Sequence, residues 1–191
     1  MLEENQILQI LKDTNALMEG HFLLTSGLHS PQYIEKFRIL EQPVYTELFC
    51  KQIAEIFKSH NISVVVGPMT GGIILAYEVA KQLGAKSIFT ERVDGKMKFK
   101  RGFTLSETDN VLIVEDIITT GGSILEVIEK VKKSNAKIIG LGYIVDRSNG
   151  KAIFNIPSKP LLTLNVTTYK PDECPLCKAG IKLVKPGSTN K

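Results

Sequence analysis

The sequence is poor in cysteine, in net charge and in long apolar runs, and each shortage removes a class of protein. Three cysteines in 191 residues are too few, and odd in number, for a disulfide framework. They fit a reducing compartment. No apolar run approaches the length needed to span a bilayer. The start, Met1 to Asn5, is acidic and lacks the basic and apolar regions of a signal peptide, so a cytoplasmic location is expected. A net charge of +4 is too small to argue for nucleic acid. The excess is local: Lys96, Lys98, Lys100 and Arg101 share one short stretch, and Lys178, Lys182, Lys185 and Lys191 lie in the tail. There is no internal repeat and no low-complexity linker. Neither a Gly-Lys-Ser/Thr phosphate loop nor a Gly-x-Gly-x-x-Gly after a strand occurs. A P-loop ATPase and a dinucleotide fold therefore have no support.

What is present is a repeated strand, loop and helix. The length is about that of one domain able to bury a core. An N-terminal helix is expected with Ile7, Leu8 and Leu11 on one face. Phe22 to Leu24 and Tyr33-Ile34 flank a turn signal at Thr25-Ser26-Gly27. Pro43 suits the first turn of a helix whose buried stripe is Phe49, Ile53, Ile56 and Phe57. From Ile62 onward, apolar runs at 62–66, 86–90, 111–114, 137–145 and 161–164 read as strands. Helices at 73–83 and after 123 alternate with them. Gly84 is a plausible helix stop. The alternation predicts an α/β fold with right-handed crossovers and a parallel sheet. Ligands in such sheets bind beyond the carboxyl ends of the strands, where the loops 67–72 and 119–123 fall. The expected division is an N-terminal cap at 1–42, an α/β core at 43–168 and a tail at 169–191.

The segment Val111-Leu-Ile-Val-Glu-Asp-Ile-Ile-Thr-Thr-Gly-Gly-Ser123 carries the most chemistry. An aliphatic run stops at two carboxylates, Glu115 and Asp116. A hydroxyl- and glycine-rich turn, Thr119-Thr120-Gly121-Gly122-Ser123, then opens a helix. Backbone N–H groups converging at a helix start attract phosphate. Carboxylates beside them hold sugar hydroxyls or a divalent cation. Two isolated acids would ordinarily be a solvated strand end. Placed at a buried strand and followed by this turn, they point to a phosphorylated sugar. Asp94-Gly95 is a hairpin signal, and Lys96, Lys98 and Lys100 alternate with Met97 and Phe99. Period-two alternation places the three lysines on one face of an extended arm. Such an arm is either a solvated edge or a cationic lid over a polyanion.

The acid pair, the two apolar residues Ile117 and Ile118, and the Thr- and Gly-rich turn resemble the phosphoribosyl-diphosphate motif of type I phosphoribosyltransferases. Gly67-Pro-Met-Thr-Gly-Gly72 resembles that family's pyrophosphate loop, and Thr90 to Gly102 its mobile catalytic loop. The nearest resemblance within the family is to the orotate phosphoribosyltransferases. Phe22 to Gly27 with Ser30-Pro31 resembles their N-terminal signature. Tyr143-Ile-Val-Asp-Arg147 resembles the strand end whose arginine contacts orotate. Asp172 to Gly180 and Lys185 to Ser188 resemble the tail of one bacterial and archaeal branch.

The resemblance implies a type I core: a twisted parallel sheet flanked by helices, with a small N-terminal hood and a flexible catalytic loop. It implies transfer of the 5-phosphoribosyl group from phosphoribosyl diphosphate to orotate, giving orotidine 5′-monophosphate and pyrophosphate, a step of pyrimidine biosynthesis. Mg²⁺, held mainly by substrate, is the implied cofactor. A homodimer whose mobile loop reaches the neighbouring site is the implied assembly, with no nucleic-acid or membrane partner. The implied catalytic residues are Lys96, Arg92, Glu115 and Asp116. Phosphoribosyl diphosphate contacts carry over to Thr70, Gly71, Gly72, Arg92, Lys96, Lys98, Glu115, Asp116, Ile117, Ile118, Thr119, Thr120, Gly121, Gly122 and Ser123. Orotate contacts carry over to Thr119, Arg147, Ser26 and Gly27.

Three positions depart from the better-known pattern: Gly71, Thr25 and Val93 stand where basic residues are common. Lys98 stands where many members have a histidine. A differently supplied cationic shell or reduced activity would account for the first three; the intact acid pair, turn, Lys96 and Arg147 favour the shell. A purine-specific transferase, or a non-catalytic regulator sensing phosphoribosyl diphosphate, would share the motif. The Arg147 region and the N-terminal signature favour orotate, and no added DNA-binding segment is evident. Finally, Cys174-Pro-Leu-Cys177 has metal-knuckle spacing. One pair supplies two of the four ligands a structural site needs. Cys50 and the histidines at 21, 29 and 60 lie far off in sequence, though pairs from two subunits could meet. The expectation is a reduced, partly buried pair, with His21 and His29 as local hydrogen-bonding residues.

Overall fold

The computed structural model describes residues 2–186. Gly187 and Ser188, part of the tail resemblance, and Lys191 lie outside them. The elements run α1 (Glu4–Asp13), β1 (Leu17–Leu23), β2 (His29–Ile34), α2 (Phe37–Leu40), α3 (Pro43–Phe57), β3 (Val64–Pro68), α4 (Gly71–Leu83), β4 (Lys86–Val93), β5 (Lys96–Phe99), β6 (Asn110–Ile118), α5 (Gly122–Lys132), β7 (Lys137–Asp146), β8 (Ser158–Thr163) and α6 (Pro175–Lys178). Pro43 opens α3 at the first position, and Gly84, left-handed at φ 66°, ends α4.

Six strands form one sheet in the order β5-β4-β3-β6-β7-β8. All its pairings are parallel except β4 with β5, which are antiparallel. That exception is the hairpin signalled by Asp94-Gly95. Both residues take positive φ, 51° and 73°, and Val93 pairs directly with Lys96. The arm is shorter than its alternation suggests. Met97 is buried under it, and Lys100 falls beyond β5. A separate two-stranded antiparallel sheet, β1 with β2, stands apart from the six.

The sheet is covered on both faces, which is why its central strands read as unbroken apolar runs. Alternation along β6 assigns the two cores. Val111 and Ile113 join the α5 stripe of Ile124, Val127, Ile128 and Val131. Leu112 and Val114 face the core built from α1, α3 and α4, around Ile7, Leu11, Phe49, Ile53 and Leu75. The strand runs past the expected end at residue 114, through Ile118. Glu115 and Asp116 therefore lie inside β6, paired toward β7 through Glu115 opposite Tyr143. An extended strand sends successive side chains to opposite faces, so the two acids serve different sides of the sheet.

β7 lets α3 approach closely because it carries glycine where that helix crosses. A Cβ on Gly142 would stand 2.5 Å from Ile53 Cγ2 and 3.2 Å from Phe57 Cε2. Gly142→Ala is expected to lower stability by about 1–3 kcal/mol through overpacking. The check is the urea midpoint, with the m-value unchanged; an unshifted midpoint would contradict this packing.

Candidate functional site

The turn 119–123 closes a small pocket at the carboxyl end of β6. Glu115, Ile117, Ile118 and all five turn residues line it, together with Ile124. Gly121 adopts φ 77° ahead of α5, and no side chain caps the helix there. The first N–H groups of a helix have no intrahelical acceptor, so an anion is the complementary occupant.

A larger cleft of about 740 Å³ adjoins it and shares Ile117, Thr119 and Thr120. Its walls come from four parts of the chain. The β1–β2 hairpin and its turn give Leu24, Thr25, Ser26 and Tyr33. The segment after β2 gives Glu35, Lys36 and Phe37. The strand ends give Asp116 and Arg147, and the tail gives Lys185 and Pro186. Glu115 faces the small pocket and Asp116 the cleft, as the alternation of β6 requires.

Asp116 is 3 % exposed. Lys36 Nζ donates to its Oδ1 at 3.2 Å and lies 2.9 Å from Oδ2. The Asp116 carboxylate also accepts the Ile117 N–H at 2.7 Å. Space for it exists only because residue 71 is glycine: a Cβ there would sit 1.8 Å from Asp116 Oδ2. Burial lowers the Lys36 pKa, but the Asp116 carboxylate outweighs burial and the net shift is upward. Glu115 has no such partner. Burial pushes its carboxyl up from 4.5 to about 8, and the charge of Asp116 adds to the rise. Glu115 therefore holds its proton at neutral pH in the ligand-free protein. Burial also lowers the Arg147 pKa, with the Tyr33 phenol opposing.

The sequence-derived residues divide into two groups. Glu115, Asp116, Ile117, Ile118, Thr119, Thr120, Gly121, Gly122, Ser123, Ser26 and Arg147 all line the two cavities. Gly71 and Gly72 are buried beneath them at the start of α4, behind Thr70. Gly27 sits in the turn beside Ser26 with φ 81°. Arg92, Lys96 and Lys98 line neither cavity. Arg92 pairs with Glu126 of α5 at 3.0 Å and reaches Ser123 Oγ at 3.4 Å. Lys98 pairs with Asp94 at 3.0 Å. Sequence reasoning missed Lys36 and Tyr33, because neither belongs to a glycine-rich motif. The available signal was Lys36 itself, a lysine just past the N-terminal signature where a cation was missing at Thr25.

The family model described as "Phosphoribosyl transferase domain" matches residues 39–153. The chain belongs to the phosphoribosyltransferase family. Among curated relatives, the orotate phosphoribosyltransferase of Thermoanaerobacter sp. (strain X514) is 53% identical over 98% of both chains. That of Caldicellulosiruptor saccharolyticus is 52% identical over the same shares. The solved structure of orotate phosphoribosyltransferase from Aeropyrum pernix superposes with a TM-score of 0.69 at 23% identity, covering 83% of this chain and 93% of that one. This phosphoribosyltransferase has the α/β architecture of its family, with the acid pair inside its central strand. None of the helices among its described residues is long and apolar enough to cross a membrane.

The Glu115 shift has a consequence for stability. Between its ordinary value of 4.5 and about 8, the folded chain holds a proton that the unfolded chain releases. The stabilisation is complete below that window and is lost as pH rises through it, by on the order of 1 kcal/mol per pH unit from this group. Glu115→Gln should flatten the decline. Urea unfolding of both proteins across the window measures it, and equal slopes would refute the assignment.

Proposed function

We propose that the chain transfers the 5-phosphoribosyl group from phosphoribosyl diphosphate to orotate, releasing pyrophosphate. The observation that carries this reading is Arg147 in the same cleft as Asp116, one phosphate-sized pocket away from the 119–123 turn. The turn receives the 5′-phosphate on the N–H groups of α5. Glu115 and Asp116 accept hydrogen bonds from the ribose hydroxyls across the strand end. Arg147 meets the orotate carboxylate in a two-pronged pairing that lysine does not reproduce. Thr119 and Ser26 border the base.

In the reaction a ring nitrogen of orotate forms a bond to C1 as the C1–O bond to diphosphate breaks; the electron pair leaves with diphosphate, and the nitrogen's proton passes to the departing diphosphate or to solvent. Positive character develops on the ribose, where Asp116, and Glu115 once bound positive charge has displaced its proton, place negative charge. Lys36 pairs with Asp116 across the cleft. It also stands in the cleft that Thr25 borders, which supports a cationic shell supplied from a different place in the chain. The site's charged oxygens suit a hard cation such as Mg²⁺. With Asp116 engaged by Lys36, Glu115 is the side chain left to approach a metal that rides on the substrate. Bound there, Mg²⁺ would offset charge on the departing diphosphate.

The lysine arm belongs to this reading through a second subunit. Arg92, Lys96 and Lys98 stand outside their own chain's cavities, as a loop serving a neighbour would. Exposed apolar side chains on α3 and α4, Val44, Ile74 and Tyr77, suit a subunit interface. A cytoplasmic location accords with the unpaired thiols of Cys50, Cys174 and Cys177.

Incubation with phosphoribosyl diphosphate, Mg²⁺ and either orotate or adenine tests the assignment. Pyrophosphate release with orotate alone is expected, and release with adenine alone would reject it. Arg147→Lys should raise KM for orotate roughly 10- to 100-fold, the worth of one charge-assisted forked contact. KM for phosphoribosyl diphosphate should barely move. Equal effects on both substrates would remove Arg147 from base recognition.

A further inference from the structure

The tail is held to the N-terminal hairpin by something other than a hydrophobic core. Between residues 169 and 186 the one buried side chain is Cys174. Ile181, Leu183 and Val184 are exposed. Two short backbone bridges anchor the segment. The N–H groups of His29 and Tyr169 each donate to the other's carbonyl at 2.8 Å. Leu23 N–H donates to the Val184 carbonyl, and Val184 N–H to the His21 carbonyl, also at 2.8 Å. Isolated strand contacts of this kind are marginal in water.

Between the two anchors lie four side chains with metal-ligating atoms: His21, His29, Cys174 and Cys177. Those atoms all lie within 4.8 Å of one another. His21 and His29 are 2 % and 4 % exposed, and Cys174 is fully buried. The hairpin explains the histidine pair. Leu23 is opposite His29, and His21 is two residues back on the same face, at diagonal reach. The knuckle Cys174-Pro-Leu-Cys177 spans the start of α6 and turns both thiols toward them.

Four of the six spacings lie close to those of a tetrahedral ion. For Zn–S of about 2.3 Å and Zn–N of about 2.0 Å, tetrahedral angles put nitrogen and sulfur about 3.5 Å apart and two nitrogens about 3.3 Å apart. Here the nitrogen–sulfur distances are 3.5 Å (Cys174 to His21), 3.7 Å (Cys177 to His21) and 3.3 Å (Cys177 to His29). His21 Nε2 and His29 Nδ1 are 3.0 Å apart. The outer contact fits as well. His21 Nδ1 lies 2.7 Å from the Ile181 carbonyl. A carbonyl can only accept, so Nδ1 carries the proton and Nε2 presents its lone pair inward. That is the usual orientation of a metal-bound imidazole. Two thiolates with two imidazoles select zinc among common cellular divalent ions.

We propose that His21, His29, Cys174 and Cys177 of one chain form a structural Zn²⁺ site that staples the C-terminal tail to the β1–β2 hairpin. The site goes beyond the sequence reading, in which the cysteines were a reduced, partly buried pair and pairs from two subunits could meet. It lies outside the catalytic cavities and does not depend on which base the cleft accepts. Its effect on them is indirect, because Lys185 and Pro186 follow the staple and form part of the cleft wall. A closed four-ligand site adds stability where a small element lacks a core.

The test uses the full chain, purified with reductant and without added chelator. Elemental analysis should find one zinc per chain. Cobalt added to metal-free protein should give the visible bands of a tetrahedral ion and a thiolate charge-transfer band, both removed by equimolar zinc. Chelation should raise hydrogen exchange across 169–186 and the β1–β2 hairpin while leaving the six-stranded sheet protected. Cys174→Ser with Cys177→Ser should abolish zinc retention and the cobalt spectrum. Because that variant could misfold, the cobalt and exchange measurements on the unaltered chain decide the matter alone. Zinc far below one per chain together with no thiolate–cobalt band would overturn the proposal and leave a hydrogen-bonded His–Cys cluster. Full zinc retention by a folded double-serine variant would overturn it equally.

Discussion

The site depends on accommodating one carboxylate, Asp116, almost wholly buried against Lys36. Burying a carboxylate without partners is costly. Three features offset that cost. Lys36 supplies a countercharge from the segment after the hairpin. The N–H of Ile117 supplies a hydrogen bond. Gly71 supplies space. These come from three separate parts of the chain, so the hairpin, the start of α4 and the end of β6 are bound into one unit by a single side chain. The glycine at 71, which departs from the better-known family pattern, is then a steric requirement of this arrangement. A lysine at 71 would bring the very Cβ that the carboxylate excludes.

Consecutive placement of the two acids on one strand gives them different surroundings from nearly identical chemistry. Glu115 turns to the side of α5 and borders the phosphate pocket. Asp116 turns to the side of α4 and borders the cleft. Burial, with the charge of Asp116 added, makes Glu115 hold its proton more tightly than an ordinary carboxyl. A polyanionic substrate carrying a divalent ion would change that balance by bringing positive charge to Glu115. Binding and deprotonation of Glu115 are therefore linked, and the ligand-free protein stores the acid in its neutral form.

The parallel sheet, its alternating helices and their buried stripes were legible in the sequence because burial and period agree there; the strand order was not. The stripe of Ile124, Val127, Ile128 and Val131 and the stop at Gly84 needed no tertiary information. The end of β6 was misplaced by four residues because carboxylates ordinarily mark solvent; here a lysine from a distant segment and a neighbouring glycine make their burial tolerable. The turn at 119–123 was legible because phosphate binding by a helix start is local. Lys36 was not, since its importance arises only where its segment folds against β6. The metal ligands were half legible: the knuckle spacing was visible, but its partners are separated by well over a hundred residues and sit on a hairpin face that only pairing register defines.

The hairpin is thus fixed at two points by polar chemistry of different kinds. At its far end, the segment after β2 sends Lys36 inward to Asp116. On its outer face, His21 and His29 meet the cysteines of the tail. The small β1–β2 sheet is separate from the six-stranded sheet, and an isolated two-stranded hairpin is marginal in water. Leu17 and Ile34 tie one end of the hairpin into the main core. Positional accuracy in the rest of the cleft wall comes from directional interactions, an ion pair on one side and ligand geometry on the other. Tyr33 and Ser26 stand between these two fixings and border the base cleft. A hood held in this way can be rigid where it borders the ligand without enlarging the hydrophobic core beneath it.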